Sequence, residues 1–279
     1  LAAAIAATVA GIPMAHLHGG EVTEGAIDEA FRHAITKMSH LHFVAAEPYR
    51  DRVLQLGEEP NRVFVVGGLG LDNLERLALM NRSEIVQSLG FDFSERNLLV
   101  TFHPVTGEPR DSLAQFSELL AALDSLDDTG LIFTLPNADV GGRALAAMVE
   151  EFTNDRSNAT AFQSLGQTRY LSCLREVDGV VGNSSSGLLE APSLGTGTVD
   201  IGSRQQGRLR APSVISCAPD RDQITSAIHR LYSAEFRDVV RRQESPYGRA
   251  GASAQVVEAL SVVSLDGILR KRFVDYPMT

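Results

Sequence analysis

The most informative stretch of the sequence is DGVVGNSSSGLLEA, residues 178–191. Its two adjacent valines form an apolar run without alternation, which is typical of a strand buried on both faces of a parallel sheet. Three serines and a glycine follow, and a helix is predicted over Leu188–Ala191. The amides at the helix start, with the hydroxyls of Ser184 and Ser185, predict a phosphate-binding turn. A serine N-cap without a ligand is the alternative, and it accounts for one serine of the run.

The same succession of strand and helix recurs along the chain. Strands are predicted over Ile12–His18, Leu41–Ala45, Val63–Val66, Asn97–His103, Gly130–Leu135, Asn158–Phe162, Gly179–Gly182 and Gly197–Ile201. Helices are predicted over Glu24–Ser39, Pro48–Leu56, Asp111–Leu123, Gly142–Glu151, Thr168–Glu176 and Leu188–Ala191, and in the tail over Asp220–Phe236 and Gln255–Phe273. This alternation predicts an α/β fold of parallel sheets covered on both faces.

Length and the chain start bear on domain organisation. The 279 residues suit one large or two medium domains, at roughly 150 residues per domain. The more polar segment Leu79–Ser94 predicts a boundary near residue 80. The chain opens on an alanine-rich apolar run from Leu1 that has no basic residues before it and breaks at Gly11, unlike a signal peptide or a membrane span. We therefore expect a buried helix, no membrane partner, and a chain that begins inside a domain.

Charge and cysteine content limit the classes of partner and compartment. Lys and Arg number 25 against 35 Asp and Glu, so the formal net charge is −10. This balance argues against a nucleic-acid partner, although a few local donors can bind a small anion. The two cysteines, Cys173 and Cys217, cannot form a disulfide framework, so we expect a reducing, cytoplasmic location.

Other predicted strands also end in loops with polar side chains, where open α/β sheets place ligands. His103 is held away from helical backbone by Pro104, and it could donate to a ligand or transfer a proton. Glu190, one turn into its helix, could accept hydrogen bonds from a ribose diol. Arg204 or Arg208 could reach a diphosphate with forked donors. The alternatives are a histidine that only caps a strand and an ordinary surface loop.

A second candidate segment, HLHGGEVTEGAIDEAFRH at residues 16–33, also follows a predicted strand and opens a helix. Its paired glycines allow a ligand to approach the backbone closely. Glu21 lies in the loop, and Asp28 and Arg32 are four residues apart, so these two could pair on one helix face. The carboxylates could take and give protons in turn. Alternatively, they are solvated acids that favour the helix dipole.

Neither a metal nor a dinucleotide cofactor is expected. His16, His18, His40 and His42 invite a metal-site interpretation, but the sequence has no HExxH motif and no third ligand at a recognisable spacing. Core or supporting histidines are the preferred interpretation. A glycine-rich turn at residues 67–73 resembles a dinucleotide loop, but GxGxxG would require glycine where Asn73 stands.

Taken in order, these segments resemble the UDP-N-acetylglucosamine 2-epimerases, and within them the hydrolysing branch used in the biosynthesis of sialic-acid-type sugars. The motifs HGGE (18–21), GAIDEAFRH (25–33) and NSSSG (183–187) carry the resemblance, which covers nearly the whole chain. It implies a GT-B-like fold, two Rossmann-like domains with the active site in the cleft between them. It also implies a homodimer that uses no metal and no NAD.

The resemblance implies three segments with separate roles. Residues 1–80 would be the latter part of the N-terminal domain, residues 81–245 the UDP-binding domain, and residues 246–279 a C-terminal helix that returns to the first domain. The family also uses an aspartate before the first helix present here, which we expect to lie upstream of Leu1.

The resemblance further assigns residues to the two sides of the site. Those that would hold the nucleotide are Ser184, Ser185, Gly187, Glu190 and Arg204, with Asn137 near the nucleotide and His103 beside the diphosphate as a catalytic group. The sugar side would be served by Asp28 and Glu21 as acid/base carboxylates and by Arg32. Some relatives carry Glu at the position of His18, which is therefore the alternative to Glu21.

The implied reaction has two stages. A base removes the proton at C2 of the sugar while UDP leaves by elimination, which gives a 2-acetamidoglucal. Water then adds with the opposite configuration at C2 and releases N-acetylmannosamine, or its 2,4-diacetamido-trideoxy analogue. His103, Arg204 and the helix dipole could stabilise the leaving diphosphate. The alternatives are a GT-B glycosyltransferase and a non-catalytic binder of UDP-sugars.

Overall fold

The structure, a computed structural model, describes residues 1–24, 27–105, 109–126, 128–136 and 141–275. The chain divides into two compact units. Unit 1 comprises Leu1–Arg76 and Pro246–Thr279, and unit 2 comprises Leu77–Ser245. Each unit carries its own parallel sheet.

Unit 1 is built on three parallel strands in the order β1-β2-β3. They are β1 (Ala15–Leu17), β2 (Leu41–Val44) and β3 (Val63–Val65). The helices are α1 (Ala2–Val9), α2 (Ile27–Met38), α3 (Glu47–Gln55) and α4 (Asp72–Arg76). The central strand β2 is buried along its whole length, as its apolar residues Leu41, Phe43 and Val44 predict, and His42 is buried with them.

The first helix, α1, forms where the alanine-rich run predicts it, because alanine has the highest helix propensity. Its predicted burial is wrong: Ala4 is its one buried residue, and Ile5 and Val9 are exposed. The helix packs against α2 through one face, so its remaining apolar side chains lie on the surface of the described part of unit 1.

Unit 2 is built on six parallel strands in the order β6-β5-β4-β7-β8-β9. They are β4 (Arg96–Thr101), β5 (Thr129–Thr134), β6 (Ala159–Phe162), β7 (Gly179–Gly182), β8 (Gly197–Ile201) and β9 (Val214–Cys217). The helices are α5 (Arg82–Leu89), α6 (Pro109–Asp124), α7 (Gly142–Asn154), α8 (Gly166–Glu176), α9 (Ser186–Leu189), α10 (Arg221–Leu231) and α11 (Ala234–Arg242). The parallel α/β class predicted from the sequence is confirmed.

Two elements of unit 2 are absent from the sequence prediction. The edge strand β9 is buried at one of its four residues, so its composition lacks the apolar run of a central strand. Helix α5 lies within the polar segment interpreted as a boundary. A reciprocal capping box between Asn81 and Glu84 starts it, and Gly90 ends it in the left-handed conformation.

The strand order of unit 2 reverses at β4, where β5 and β6 extend to one side and β7 to β9 to the other. Ligands of open α/β sheets bind outside the carboxyl ends of the strands at such a point. Thr101 and Gly182 face each other there. Gly182 has φ +139°, and a Cβ on it would lie 2.0 Å from the carbonyl oxygen of Thr101. Only glycine therefore fits at the end of β7.

The last helix, α12 (Ala252–Val262), belongs to unit 1. The carboxylate of Asp72 accepts hydrogen bonds from the amides of Gly251, Ala252 and Ser253 and so caps this helix. Burial alone would raise the pKa of Asp72, but these bonds outweigh it and lower the pKa to about 2. The helix is shorter than predicted, because a turn that includes Gly267 at φ +69° follows it.

In the described ranges, no helix is both long and apolar enough to cross a membrane.

Candidate functional site

A cavity of about 620 Å³ opens at the carboxyl edge of the sheet in unit 2. The ends of β4, β5 and β6 line it, together with the start of α8 and the turn between β7 and α9. Its hydroxyl and imidazole groups belong to Thr101, His103, Thr134, Ser164, Tyr170, Ser184 and Ser186. The cavity therefore lies where the strand order predicts a ligand site.

Asn183 joins the two loops that border this cavity. Its Oδ1 accepts the N–H of His103 at 2.7 Å, and its Nδ2 donates to the carbonyl of His103 at 2.8 Å. The side chain of His103 is half-buried at the cavity wall. His103 thus lies at the cavity wall, next to the serine turn.

The serine turn differs in detail from the predicted helix start. Helix α9 has four residues and passes into a 3-10 turn at Ala191–Leu194, so its dipole is small and the predicted help from a helix dipole is weak. In the described part of the chain, the amides of Ser184 and Ser185 donate to no protein acceptor. Individual amides and hydroxyls, rather than a long helix, are what the turn offers an anion.

The three serines take different positions. Ser184 and Ser186 line the cavity, with their hydroxyl oxygens 3.4 Å apart. Ser186 also shares a hydrogen bond with the hydroxyl of Tyr170. The carbonyl of Ser185 instead accepts from the amides of Leu188 and Leu189, both at 3.0 Å, and so starts the helix.

Gly187 has a packing role in this structure. A Cβ on it would lie 2.6 Å from Cγ2 of Thr198, whose hydroxyl donates to the carbonyl of Gly187 at 2.8 Å. The close approach of α9 to β8 therefore requires glycine, whether or not a ligand is bound.

Glu190 lies beyond the serine turn with a carboxylate oxygen, Oε2, that is buried without a hydrogen-bond partner among the described residues. Burial raises the pKa of this carboxyl, and the nearby charge of Arg208 opposes the rise. The Nε of Arg208 is likewise buried and unpartnered within the described ranges. Buried polar atoms are normally satisfied, so these two mark a place where a ligand or water would supply a partner.

Arg204 is anchored on the serine turn. Its Nη1 donates to the backbone carbonyl of Asn183 at 3.0 Å, and the side-chain Nε2 of Gln205 donates to the same oxygen at 2.8 Å. The guanidinium is thereby brought to the loop that follows β7. Arg210 from the same loop pairs instead with the buried Asp200, at 3.0 Å.

Asn137, predicted near the nucleotide, lies outside the described residues.

In unit 1 the HGGE loop follows β1. Gly20 has φ +76°, and a Cβ on it would lie 2.2 Å from the carbonyl oxygen of Tyr49, so its close approach is to the backbone of α3. Glu21 is 6% exposed, and its Oε1 lies 2.7 Å from Nδ1 of His18. His18 and Glu21, alternatives in the sequence analysis, are therefore direct partners.

The predicted pairing of Asp28 with Arg32 is wrong. Arg32 donates from Nη1 to Oε2 of Glu29 at 2.9 Å and to the carbonyl of Glu21 at 3.0 Å. Glu29 is the better partner because its carboxylate also accepts the N–H of Thr23, which fixes it over the loop. Asp28 is exposed on α2. Arg32 therefore stabilises the loop that carries Glu21 instead of pairing with Asp28 on its own helix.

Each of the four histidines considered for a metal has a protein partner. His16 shares a hydrogen bond with the hydroxyl of Thr36 at 3.0 Å, and His40 accepts the N–H of Met14. His42 is fully buried against Glu58, and His18 pairs with Glu21. In the ranges that the structure describes, no cluster of three or more His, Cys, Asp or Glu could hold a metal.

Sequence reasoning missed several residues that build the site. In the sequence Asn183 stands out only as part of the NSSSG motif, and Gln205 only as a loop residue. In the structure both fix the serine turn. Tyr170 lies on helix α8, where the sequence periodicity predicts only a packing role. The strand order of the sheet is what brings its hydroxyl to Ser186. The strand-end position of Asn183 was the available signal, since side chains at adjacent strand ends meet in a parallel sheet.

Comparison with known proteins gives consistent similarities. A family model described as UDP-N-acetylglucosamine 2-epimerase matches residues 1–261. The GDP/UDP-N,N'-diacetylbacillosamine 2-epimerase (hydrolyzing) of Campylobacter jejuni is 36% identical over 266 residues, which cover 95% of this chain and 69% of that protein. Polysialic acid biosynthesis protein P7 of Escherichia coli is 38% identical over 258 residues, 92% of this chain and 66% of that protein.

Among solved structures, the UDP-GlcNAc 2-epimerase from Neisseria meningitidis bound to UDP-GlcNAc superposes with a TM-score of 0.80 at 18% sequence identity. The match covers 93% of this chain and 72% of that one, and it shows a shared fold. The chain spans about two thirds of the length of the two curated relatives.

Proposed function

The chain belongs to the UDP-N-acetylglucosamine 2-epimerase family, and we propose that it is a hydrolysing 2-epimerase of a UDP-linked 2-acetamido sugar. The reaction releases UDP and the free sugar with inverted configuration at C2. One observation carries the proposal: Asn183 holds His103 against the serine turn, at the edge of a cavity where the strand order of unit 2 reverses.

Residues 81–245 form the UDP-binding domain in this proposal. The hydroxyls of Ser184 and Ser186 and the amides of the serine turn bind the diphosphate, and Arg204, anchored on the same turn, adds positive charge. The unpartnered Oε2 of Glu190 accepts hydrogen bonds from the ribose diol. An acidic chain can bind a diphosphate in this way because amides and hydroxyls supply most of the donors.

Elimination needs a base at C2 and stabilisation of the leaving diphosphate. Glu21 and Asp28 in unit 1 supply the acid and base groups, and His103 with Arg204 stabilises the departing UDP. The C2 proton moves to a carboxylate, the C2–H electron pair forms the C1=C2 bond of a 2-acetamidoglucal, and the C1–O pair leaves with UDP. Water then adds at C1 and a proton at C2, on the opposite face, to give the free 2-epimer.

The sugar is N-acetylglucosamine or its 2,4-diacetamido-trideoxy analogue, and the product is N-acetylmannosamine or the corresponding epimer. Support comes from the names of two relatives: the Campylobacter jejuni protein is a hydrolysing 2-epimerase of diacetylbacillosamine, and that of Escherichia coli refers to polysialic acid. We further propose that the protein acts in the cytoplasm as a homodimer without metal or NAD, as the family resemblance implies.

The test is incubation of the protein with each UDP-sugar in D₂O and no acceptor, followed by NMR. The proposal expects UDP and a free sugar of inverted C2 configuration that carries deuterium at C2. Consumption that requires an added acceptor would indicate a glycosyltransferase instead. UDP binding by calorimetry with no turnover of either sugar would indicate a non-catalytic binder.

A further inference from the structure

His18 has a backbone conformation that is unusual for its residue type. Its φ is +61°, in the left-handed region, which non-glycine residues other than Asn, Asp and His seldom adopt. Within the described ranges, Asp128 is the other non-glycine residue with positive φ. Such conformations persist where the surrounding structure holds them, and they concentrate at functional sites.

Three contacts hold the loop of His18 in place. The N–H of His18 donates to the carbonyl of Phe43 on β2 at 2.8 Å, so the hydrogen bonding between β1 and β2 extends one residue into the loop. Gly20 lies against the backbone of Tyr49, and the guanidinium of Arg52 donates to the carbonyl of Gly20. The left-handed turn at His18 is thus fixed from β2 and α3.

This turn brings the imidazole back onto a carboxylate. Nδ1 of His18 lies 2.7 Å from Oε1 of Glu21, whose side chain is 9% exposed against 36% for the imidazole. An ionised carboxylate can only accept, so Nδ1–H donates. A hydrogen bond to the charged form of an acid favours that form. It also fixes the direction of a side chain that would otherwise rotate.

We propose that His18 is a positioning residue that orients the carboxylate of Glu21 to take the proton from C2 of the sugar. The inference rests on the proposed function. In the elimination step the C2 proton passes to the Glu21 carboxylate, the C2–H pair becomes the C1=C2 bond, and UDP leaves with the C1–O pair. The Nδ1 proton stays on His18 throughout, so His18 acts through Glu21.

Other charged groups face the pair from the elements around it. They are His16 on β1, Arg32 on α2, which donates to the carbonyl of Glu21, and Arg52 on α3. Burial lowers the pKa of His16 to about 4, with the charges of His42 and Arg32 adding to the effect. His16 is therefore neutral near pH 7 and does not compete for the proton.

Two substitutions separate the hydrogen bond from the backbone geometry. His18→Gly suits φ +61° better than histidine but removes the donor, whereas His18→Asn tolerates the same φ and keeps an N–H. His18→Gly is expected to lower kcat for UDP release about 10- to 100-fold, the effect of losing a hydrogen bond to a charged group. KM should change less than about twofold, and His18→Asn should recover most of kcat.

Two further readouts report on proton abstraction itself. In His18→Gly the acidic limb of the kcat/KM profile should move to higher pH, and the isotope effect with C2-deuterated substrate should increase, because C–H cleavage becomes slower. His229→Asn is the matched control, since His229 is an exposed histidine on α10. The control should leave kcat, the pH profile and the isotope effect at parental values.

A His18→Gly variant with parental kcat, or one that His18→Asn does not improve upon, would overturn the positioning role. If the parent protein releases no UDP from either UDP-sugar, the proposed function fails instead. In that case ¹⁵N NMR of the full chain near pH 9 still tests the pair. The Nδ1–H tautomer of His18 in the parent, and its loss in Glu21→Ala, which removes the acceptor, would support the pair; no difference would overturn it.

Discussion

The carboxamide of Asn183 forms two hydrogen bonds with the backbone of His103, residues that follow neighbouring strands and are 80 positions apart. The carbonyl of the same Asn183 accepts from Arg204 and from Gln205. One residue at 1% exposure therefore ties together three loops at the carboxyl edge of the unit 2 sheet. His103 and the serine turn cannot shift independently while these bonds last.

Asn183→Ala tests this connection. The substitution removes both hydrogen bonds between the Asn183 carboxamide and the backbone of His103, so the free energy of unfolding should fall by about 1–3 kcal/mol. UDP affinity should fall roughly 10-fold as well, since a perturbed site loses about one hydrogen bond to a charged ligand. Urea unfolding and calorimetric titration with UDP measure the two effects.

The control for Asn183 is Asn158→Ala at the opposite edge of the same sheet. Asn158 donates one side-chain hydrogen bond, at 2.9 Å, to the carbonyl of Thr129. This variant should lose stability but bind UDP as the parent does. Parental UDP affinity in Asn183→Ala would show that the connection is structural only.

Substitution of Gly187 tests the close packing of α9 against β8. In Gly187→Ala the new methyl would meet Cγ2 of Thr198 at 2.6 Å, and overpacking of this kind costs about 1–3 kcal/mol. Thr198→Ser removes that methyl group and keeps the hydroxyl that donates to the Gly187 carbonyl. The double variant should therefore regain most of the stability lost in Gly187→Ala, as measured by thermal or urea unfolding. If the second substitution restores nothing, the steric account fails.

Glu58 should dominate the acid sensitivity of unit 1. Its buried carboxylate accepts from Lys37 and Lys271, both at 2.7 Å, and pairs with His42 at 2.9 Å. Burial alone would raise the pKa of Glu58, but His42, Lys271 and Lys37 together lower it to about 2. The stabilising contribution is present above the ordinary value of 4.5 and is lost as pH falls through about 2.

Glu58→Gln is therefore expected to cost about 1.5–3 kcal/mol near neutral pH, because Lys37 and Lys271 lose hydrogen bonds to a charged carboxylate. The difference from the parent should shrink as pH falls from about 4.5 toward 2. Asp238→Asn, which removes an exposed pair with Arg241, is the control and should cost under about 0.5 kcal/mol. Urea unfolding across this pH range would contradict the assignment if the Glu58→Gln deficit were independent of pH.

His16 should make the free energy of unfolding depend on pH in a second, higher range. Burial, then the charges of His42 and Arg32, lower its pKa from 6.5 to about 4. Between these values the unfolded chain binds a proton that the folded chain does not, so stability falls as pH drops. His16→Asn removes this contribution, and stability should then fall less steeply between pH 6.5 and 4. His229→Asn should keep the parental slope, and an unchanged slope in His16→Asn would refute the prediction.

Local patterns predicted the elements well where burial is uniform. All eight strands predicted from apolar runs are present. In the central strands β4, β5, β7 and β8 the reason is burial on both faces, which makes a few consecutive residues apolar. The pattern failed at β9, which is half-buried at the edge of the sheet, and at α5, whose capping residues look like those of a loop. Strand ends also indicated loops that border the cavity of unit 2.

The sequence was a poorer guide to which side chains contact one another. Spacing alone placed Arg32 opposite Asp28, yet Arg32 contacts Glu29 and the carbonyl of Glu21, because the loop before α2 folds back over the helix. The motif marked Gly187 as part of a binding turn, whereas its neighbour across the sheet, Thr198, is what excludes a larger residue.

The residue order of this chain was thus sufficient for its α/β class and for the strand ends that border the cavity of unit 2, since both depend on runs of a few neighbouring residues. The partners of those residues came from the fold. Asn183 meets His103, and Glu58 meets Lys271, because parallel strand order and the return of the C-terminal segment bring distant positions together. Such contacts depend on how elements are arranged in space, and no local periodicity encodes that arrangement.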